Sequence, residues 1–222
     1  LKDIMLKQGI KGSYCLGGIT GYIVDMLEAG CFEAIQDVQC FDLRAVESIR
    51  DNQNHMEITA SQYASPTAKS TAASSLDVVV LGATQIDTQF NVNVHTDSNG
   101  YIIGGSGGHT DVAECARMTI IVAPLSRARM PLVVDKVDCI STPGSSVDVL
   151  VTQYGVCVNP RRADLLKRFA GAGIPVADIH EWKALAEKMN GIPRCIEHKT
   201  SRTVAKVMGR DGTQMDTIFQ VE

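Results

Sequence analysis

Aromatic residues make up only 5 % of this 222-residue chain, too few for the stacked platform on which single-stranded nucleic acid is bound. Positive charge is in deficit as well. Lys and Arg number 21 against 25 Asp and Glu, the net charge is −4, and no basic stripe runs along the chain. The electrostatic footprint of a nucleic-acid partner is therefore missing. No apolar run approaches the ~18 residues that a membrane span requires. No C-x-x-C pair occurs among the seven cysteines, at 15, 31, 40, 115, 139, 157 and 195. Most of them sit in apolar runs, the pattern of reduced, buried thiols in a cytoplasmic protein rather than of a disulfide framework. Cys195-x-x-His198 is half of a zinc motif without its other half, so no metal site is expected. The start, Leu1-Lys2-Asp3-Ile4, has neither an initiator Met nor a signal peptide, and reads as a piece excised from something longer.

What is present is an alternation of short apolar strands with amphipathic helices. Ser13–Leu16 reads as a strand closed by Gly17-Gly18. Thr20 then caps a helix through Glu28, which Gly30 stops. Ile35–Cys40 is a strand, and Asp42 caps the helix Leu43–Arg50, which keeps Leu43, Val46 and Ile49 on one face. His55–Thr59 is a short strand, and Leu76–Leu81 is a continuous apolar run, as in a strand covered on both faces. From Phe90 to Ile103 the chain alternates and turns at Asp97-Ser98-Asn99-Gly100, the pattern of a hairpin. Met118–Ala123, Val133–Ile140 and Val147–Gln153 are further strands. Helices follow at Ala163–Ala170 and Ile179–Met189, then two strand-like runs within Arg202–Glu222. The fold class expected is α/β, an open, mostly parallel sheet flanked by helices, with small C-terminal helices and strands.

The densest signal is Gly104-Gly105-Ser106-Gly107-Gly108-His109-Thr110-Asp111, with four glycines in five positions between an apolar run and a helix-like Asp111–Met118. Such a turn can aim amide N–H groups at one oxyanion, phosphate or thioester carbonyl. A dinucleotide fingerprint fails because Thr110 stands where its third glycine belongs, and a P-loop fails for want of Gly-Lys-Ser/Thr. Gly104-x-Ser106-x-Gly108 matches a nucleophile elbow literally. Asp135, Asp138 or Asp148 would then be its acid and His180 or His198 its base, which makes a serine hydrolase the alternative reading. Against it, no His-Gly-Gly oxyanion loop lies upstream.

Asp77-Val78-Val79-Val80-Leu81-Gly82-Ala83-Thr84-Gln85, followed twenty residues on by Gly105-Ser106-Gly107-Gly108, resembles the second half of a family I CoA transferase. Within that superfamily it is most similar to the citrate lyase alpha chains. The Gly-His-Thr-Asp continuation and Val149-Leu150-Val151-Thr152-Gln153-Tyr154-Gly155-Val156 fit the same family. The likeness runs over about Gly12–Asn159 and more loosely to the C-terminus. It implies a single CoA transferase-like domain over residues 1–222, the second half of a longer two-domain chain, inactive without its N-terminal half. It implies transfer of a carrier-protein thioester from acetyl to citrate: acetyl-carrier and citrate become citryl-carrier and acetate. The implied partners are citrate and acetate, the acyl carrier (gamma) and citryl-lyase (beta) subunits, and the N-terminal half. No nucleic acid and no membrane are expected. No tightly bound cofactor is implied; the reacting thioester belongs to a dephospho-CoA-like arm of the carrier, or to CoA.

The implied catalytic groups are the amides of Gly107 and Gly108. Gly105, Ser106, His109, Gly17, Gly18, Leu16 and Gln85 are the implied substrate- and thioester-binding set. Plain structural readings stand beside them: a tight turn at Gly17-Gly18, a satisfied polar residue at Gln85, helix capping at His109, a cap at Asp111. Arg117, Arg127 and Arg129 are the cations that follow the loop, each equally readable as solvated surface. The chain departs from the covalent CoA transferases at Cys15-Leu16-Gly17-Gly18-Ile19-Thr20-Gly21, where those relatives carry Ser-Glu-Asn-Gly. Leu16 stands at the position of the nucleophilic Glu and cannot form an acyl-enzyme. Direct attack of the acceptor on the thioester is the expectation, with citramalate a possible acceptor besides citrate.

Overall fold

A computed structural model describes residues 1–68 and 70–222. The backbone divides into two units, Leu1–Ser75 and Leu76–Glu222. The first contains α1 (Lys2–Gln8), β1 (Gly12–Ile19), α2 (Gly21–Glu28), β2 (Phe32–Cys40), α3 (Leu43–Asp51), β3 (His55–Glu57) and α4 (Ala60–Ala64). Its strands form one sheet, ordered β1-β2-β3, with both pairings parallel. Ile19, Val24, Leu27, Ile35 and Ala45 make its core.

Three expectations are corrected in this unit. The glycine pair does not close the first strand. β1 runs on to Ile19 through a bulge between Gly17 and Gly18. Gly17 adopts φ +117, which only glycine takes without strain, and a Cβ on Gly18 would lie 2.0 Å from the Phe41 ring. The apolar stripe of α3 does not face the sheet either. Leu43 is 78 % exposed and Val46 49 %, while Ala45 and Ser48 are buried. The small Ala45 admits close approach, and Ser48 is drawn inward by His55, whose Nδ1 lies 2.9 Å from its Oγ. The caps follow the sequence at Asp42 but not at Thr20, a third correction. Asp42 accepts from Ala45 N–H at the start of α3 and also from Gly21 N–H at the start of α2, where Thr20 supplies no side-chain cap. Those amides, Gly21 first, hold the Asp42 carboxyl below the usual range.

The second unit contains β4 (Val79–Leu81), β5 (Gln85–Asp87), β6 (Val92–Asn93), α5 (His109–Cys115), β7 (Thr119–Val122), β8 (Ser126–Arg127), β9 (Met130–Pro131) and β10 (Val133–Val134). It continues with β11 (Val149–Thr152), β12 (Gly155–Val158), α6 (Ala163–Gly171), β13 (Val176–Ala177), α7 (Ile179–Asn190), β14 (His198–Met208) and β15 (Gln214–Val221). The main sheet is ordered β13-β12-β11-β7-β4 and is parallel except where the β11–β12 hairpin turns back. β5 lies between β10 and β6, and β14 with β15 forms a long hairpin. The class is the α/β arrangement expected. Phe90, Ile121, Leu125, Leu150 and Trp182 anchor the core. Val133–Ile140 is a strand for only two residues. The apolar run ending at Leu81 is the sheet's edge strand, with Val80 60 % exposed, and is not covered on both faces. A continuous apolar run does not tell a central parallel strand from an edge strand. No helix among the described residues is long and apolar enough to cross a membrane.

Candidate functional site

Parallel strands β4 and β7 lie side by side and end together, continuing as Gly82-Ala83-Thr84 and Ala123-Pro124. Beyond those ends lies a cleft of about 540 Å³, whose lining includes Gly82, Pro124, Ile103, Asp97 and Arg127. The space outside the carboxyl ends of parallel strands is where open α/β sheets take ligands, because chain leaving adjacent strands diverges there.

The glycine loop borders this cleft. The Asp97–Gly100 turn forms as expected: Asp97 Oδ1 accepts from Asn99 and Tyr101 N–H, and Gly100 takes φ +81. Ile103 N–H then donates to His95 O at 2.8 Å, and the chain enters Gly104. It returns to the cleft wall at His109, which faces Gly82 O through Nε2 at 2.9 Å and Thr142 Oγ1 through Nδ1 at 2.7 Å. A carbonyl can only accept, so Nε2 carries the proton and Nδ1 accepts from the Thr142 hydroxyl. His109 is buried, and its pKa is lowered, first by that burial. Both ring nitrogens are occupied, so His109 anchors the loop; it does not cap α5, which has no side-chain cap, but ties the start of that helix to Gly82 and Thr142.

Within the loop, Gly107 takes φ +53, and a Cβ on Gly104, Gly105 or Gly107 would meet nothing within 4 Å. Gly107 is therefore required by its backbone, whereas the bareness of Gly104 and Gly105 serves no packing in this chain. Among the described residues the amides of Gly107 and Gly108 have no acceptor in the protein. That is the state in which a donor can serve an oxyanion. Gly108 is the N-cap of α5, so Asp111 is not the cap; it lies in the first turn, 3.9 Å from Arg210. Burial raises the Asp111 and Glu114 carboxyls, and Arg210 opposes the rise in both.

The other expected residues separate. Gln85 is buried in β5 and lines a different cavity, of about 610 Å³, together with Asp138 and His198. Leu16, Gly17 and Gly18 lie in the first unit, Leu16 half-buried on β1. Arg127 lines the cleft. Arg117 sits on the surface 3.4 Å from Asp77, and Arg129 forms the turn between β8 and β9 at φ +65.

The hydrolase constellation does not assemble. Asp138 and His198 pair at 2.6 Å, but His198 Nδ1 is buried with no partner among the described residues, so no serine hydroxyl of theirs meets it. Asp148 is held by Arg161, Arg162 and Thr119 N–H, and Asp135 pairs with Lys183. The imidazole nearest Ser106 is His95, and it takes the backbone N–H, at 3.2 Å.

The family of the citrate lyase alpha subunit matches residues 1–221. The chain belongs to that family. It is 50 % identical over 222 residues to the citrate lyase alpha chain of Klebsiella pneumoniae and 48 % identical to that of Escherichia coli K12. It is covered completely in both alignments but spans only 44 % and 43 % of those relatives. A crystal structure of a citrate lyase alpha subunit from Streptococcus mutans, in complex with citrate, superposes over the whole chain. The TM-score is 0.95 at 43 % identity, and the match covers 43 % of that protein. RipA from Yersinia pestis shares the fold at TM-score 0.58 and 15 % identity. In this citrate lyase alpha family member, His95, Ser141 and Thr142 were invisible as site residues. They lie too far apart in sequence to form a motif, and only the fold brings them to the loop.

Proposed function

We propose that this chain carries the acyl-transfer site of a citrate lyase alpha subunit, exchanging acetyl for citryl on a carrier-protein thioester. The observation that carries the reading is the cleft outside β4 and β7, lined by Arg127 and by Ile103, which leads directly into a glycine loop with two unengaged amides. Citrate bound to the Streptococcus mutans relative supports the choice of acceptor. In the first step a citrate carboxylate oxygen attacks the acetyl carbonyl, and the carrier thiolate leaves a mixed acetyl–citryl anhydride. In the second the thiolate attacks the citryl carbonyl and acetate departs. Each step passes through a tetrahedral oxyanion. A preorganised N–H donor lowers such a barrier by about 3–4 kcal/mol, the scale of a single oxyanion-hole deletion. Holding carrier arm and citrate side by side supplies the entropic share.

No glutamyl intermediate is used, because Leu16 stands where covalent relatives carry Glu. The thioester arm is substrate, either a dephospho-CoA-like group on the gamma subunit or CoA, and no resident cofactor is needed. The beta subunit then cleaves citryl-carrier, in the cytoplasm. This stretch acts as the second half of the longer chain that its relatives possess. Within the second unit the site combines Gly105, Ser106, Gly107 and Gly108 with His109 as a supporting group. The test is mass spectrometry of acetyl-carrier incubated with the full-length enzyme and citrate or citramalate. Conversion to citryl-carrier with release of acetate is expected. Simple hydrolysis to free carrier, abolished by Ser106→Ala, would support the hydrolase instead.

A further inference from the structure

The stretch Gly104–Gly107 makes its hydrogen bonds, among the described residues, only through Ser106. The Ser106 N–H donates to His95 Nε2 at 3.2 Å, and Ser106 O accepts from His109 N–H at 3.0 Å. Glycine segments lose more conformational freedom on ordering than any other, so a loop this bare keeps one shape only if something grips it.

The grip at His95 is specified to the proton. A backbone amide can only donate, so Nε2 must present its lone pair and the ring proton must sit on Nδ1. Nδ1 lies 2.7 Å from Ser141 Oγ, which accepts its proton and also accepts from Val94 N–H at 2.9 Å. Ser141 is fully buried, and its own N–H donates to Val92 O at 2.8 Å. Main chain thus fixes Ser141, Ser141 fixes the tautomer, and the tautomer holds the loop. A second pin acts beside it: the His109 ring is held by Thr142 and Gly82.

We propose that His95 is the positioning residue of the glycine loop: its neutral ring holds the Ser106 amide so that the adjacent Gly107 and Gly108 N–H groups stay turned to the reacting thioester. The catalytic meaning rests on the acyl-transfer reading; the pin itself does not. Protonation at Nε2 would set two donors face to face and release the loop. The titratable groups facing the ring are the Cys139 thiol, 3.8 Å from Nδ1, and the His109 imidazole. Asp97 flanks it in sequence with Oδ1 accepting turn amides, and Asp138, across from Thr96, is committed to His198. Among the described residues no carboxylate contacts the ring to favour a proton on it, and burial lowers its pKa.

The experiment is amide hydrogen exchange resolved at residues 104–109, on the wild-type chain, His95→Gln and His95→Ala, between pH 5 and 8, corrected for intrinsic rates. The Ser106 amide is expected to be protected roughly tenfold or more at pH 8 and to lose that protection on acidification. In His95→Gln, whose amide oxygen can accept but does not titrate, protection should persist across the range. In His95→Ala it should be absent. An unprotected Ser106 in the wild type, or equal protection in His95→Ala, overturns the pin. In the full-length enzyme, His95→Ala should lower kcat for transfer about tenfold or more with little change in KM for citrate, and His95→Gln should restore it. Loss of protection with unchanged kcat overturns the positioning role. A wild-type enzyme with a protected Ser106 but no transfer overturns the functional reading instead, leaving the pin in place. Should His95→Ala fail to fold, the pH profile of His95→Gln against wild type decides by itself.

Discussion

At the scale of single residues, the loop glycines separate stability from function. Gly105 has no positive φ and open space around its Cβ position, whereas Gly107 sits at φ +53. Gly105→Ala should therefore leave the melting temperature unchanged or slightly raised, because alanine restricts the unfolded chain. Gly107→Ala should lose about 1–2 kcal/mol to the left-handed conformation. Both should lower transfer in the full-length enzyme. If Gly105→Ala retains full activity, the space it keeps is not used by substrate. Arg127 allows a second prediction, because it is the arginine of the three candidates that lines the cleft. Arg127→Ala should raise KM for citrate roughly tenfold or more, as expected for one charge-assisted contact to a carboxylate. Arg117→Ala, on the surface near Asp77, should not.

At the scale of elements, the β8–β9 hairpin joins its strands through Ala128 and Arg129, at φ +51 and +65. Two positive φ values are what a tight two-residue turn requires, and Asn-Gly is the pair that normally meets them. This hairpin carries Arg127 with no glycine in the turn. Arg129→Gly should relieve strain and raise stability by about 1 kcal/mol in denaturant unfolding. A larger effect on citrate KM than on stability would show that the strained turn aims Arg127. In the first unit, β2, β3 and α3 are tied by a buried chain of polar groups. Asp37 Oδ2 lies 3.1 Å from His55 Nε2, and the Cys40 thiol donates to the same oxygen. Burial first, and then the Asp37 contact, push Cys40 up to about 11, so its thiol stays protonated and inert at neutral pH.

At the scale of the whole molecule, the two lowered histidines, His95 and His109, set an acid limit on stability. Each ring is neutral in the folded chain and takes up a proton near the ordinary value of ~6.5 once unfolded. Protonation therefore favours unfolding. This contribution is complete above about pH 6.5 and is lost as pH falls through the lower folded values. The raised Asp111 and Glu114 carboxyls act in the opposite sense, but only in the more acidic carboxylate range. The melting temperature should fall between pH 7 and 5.5, and His95→Gln should reduce that slope. The kinetics form the last prediction. With leucine at position 16, transfer should require carrier and citrate bound together, giving intersecting rather than parallel lines in initial-rate plots. Hydroxylamine should trap no glutamyl adduct; one at Glu28, Glu33 or Glu114 would replace the direct mechanism by a covalent one.

By itself the sequence determined the class of fold, the family and the glycine loop. These are written locally: strand and helix periods, the Asp42 cap, four glycines in five residues. Tertiary structure alone decided which of those residues meet. It turned the apolar stripe of α3 away from the sheet, because Ala45 and Ser48 made the better contact. It put the Leu76–Leu81 run on a sheet edge, which a hydrophobic run cannot signal. It sent Gln85 to a different cavity from the loop, and it brought Ser141 and Thr142, more than thirty residues further along, to hold that loop together with His95. Periodicity and capping are encoded between near neighbours in the chain. The partners of a buried polar group are chosen by whichever strands the topology lays beside it.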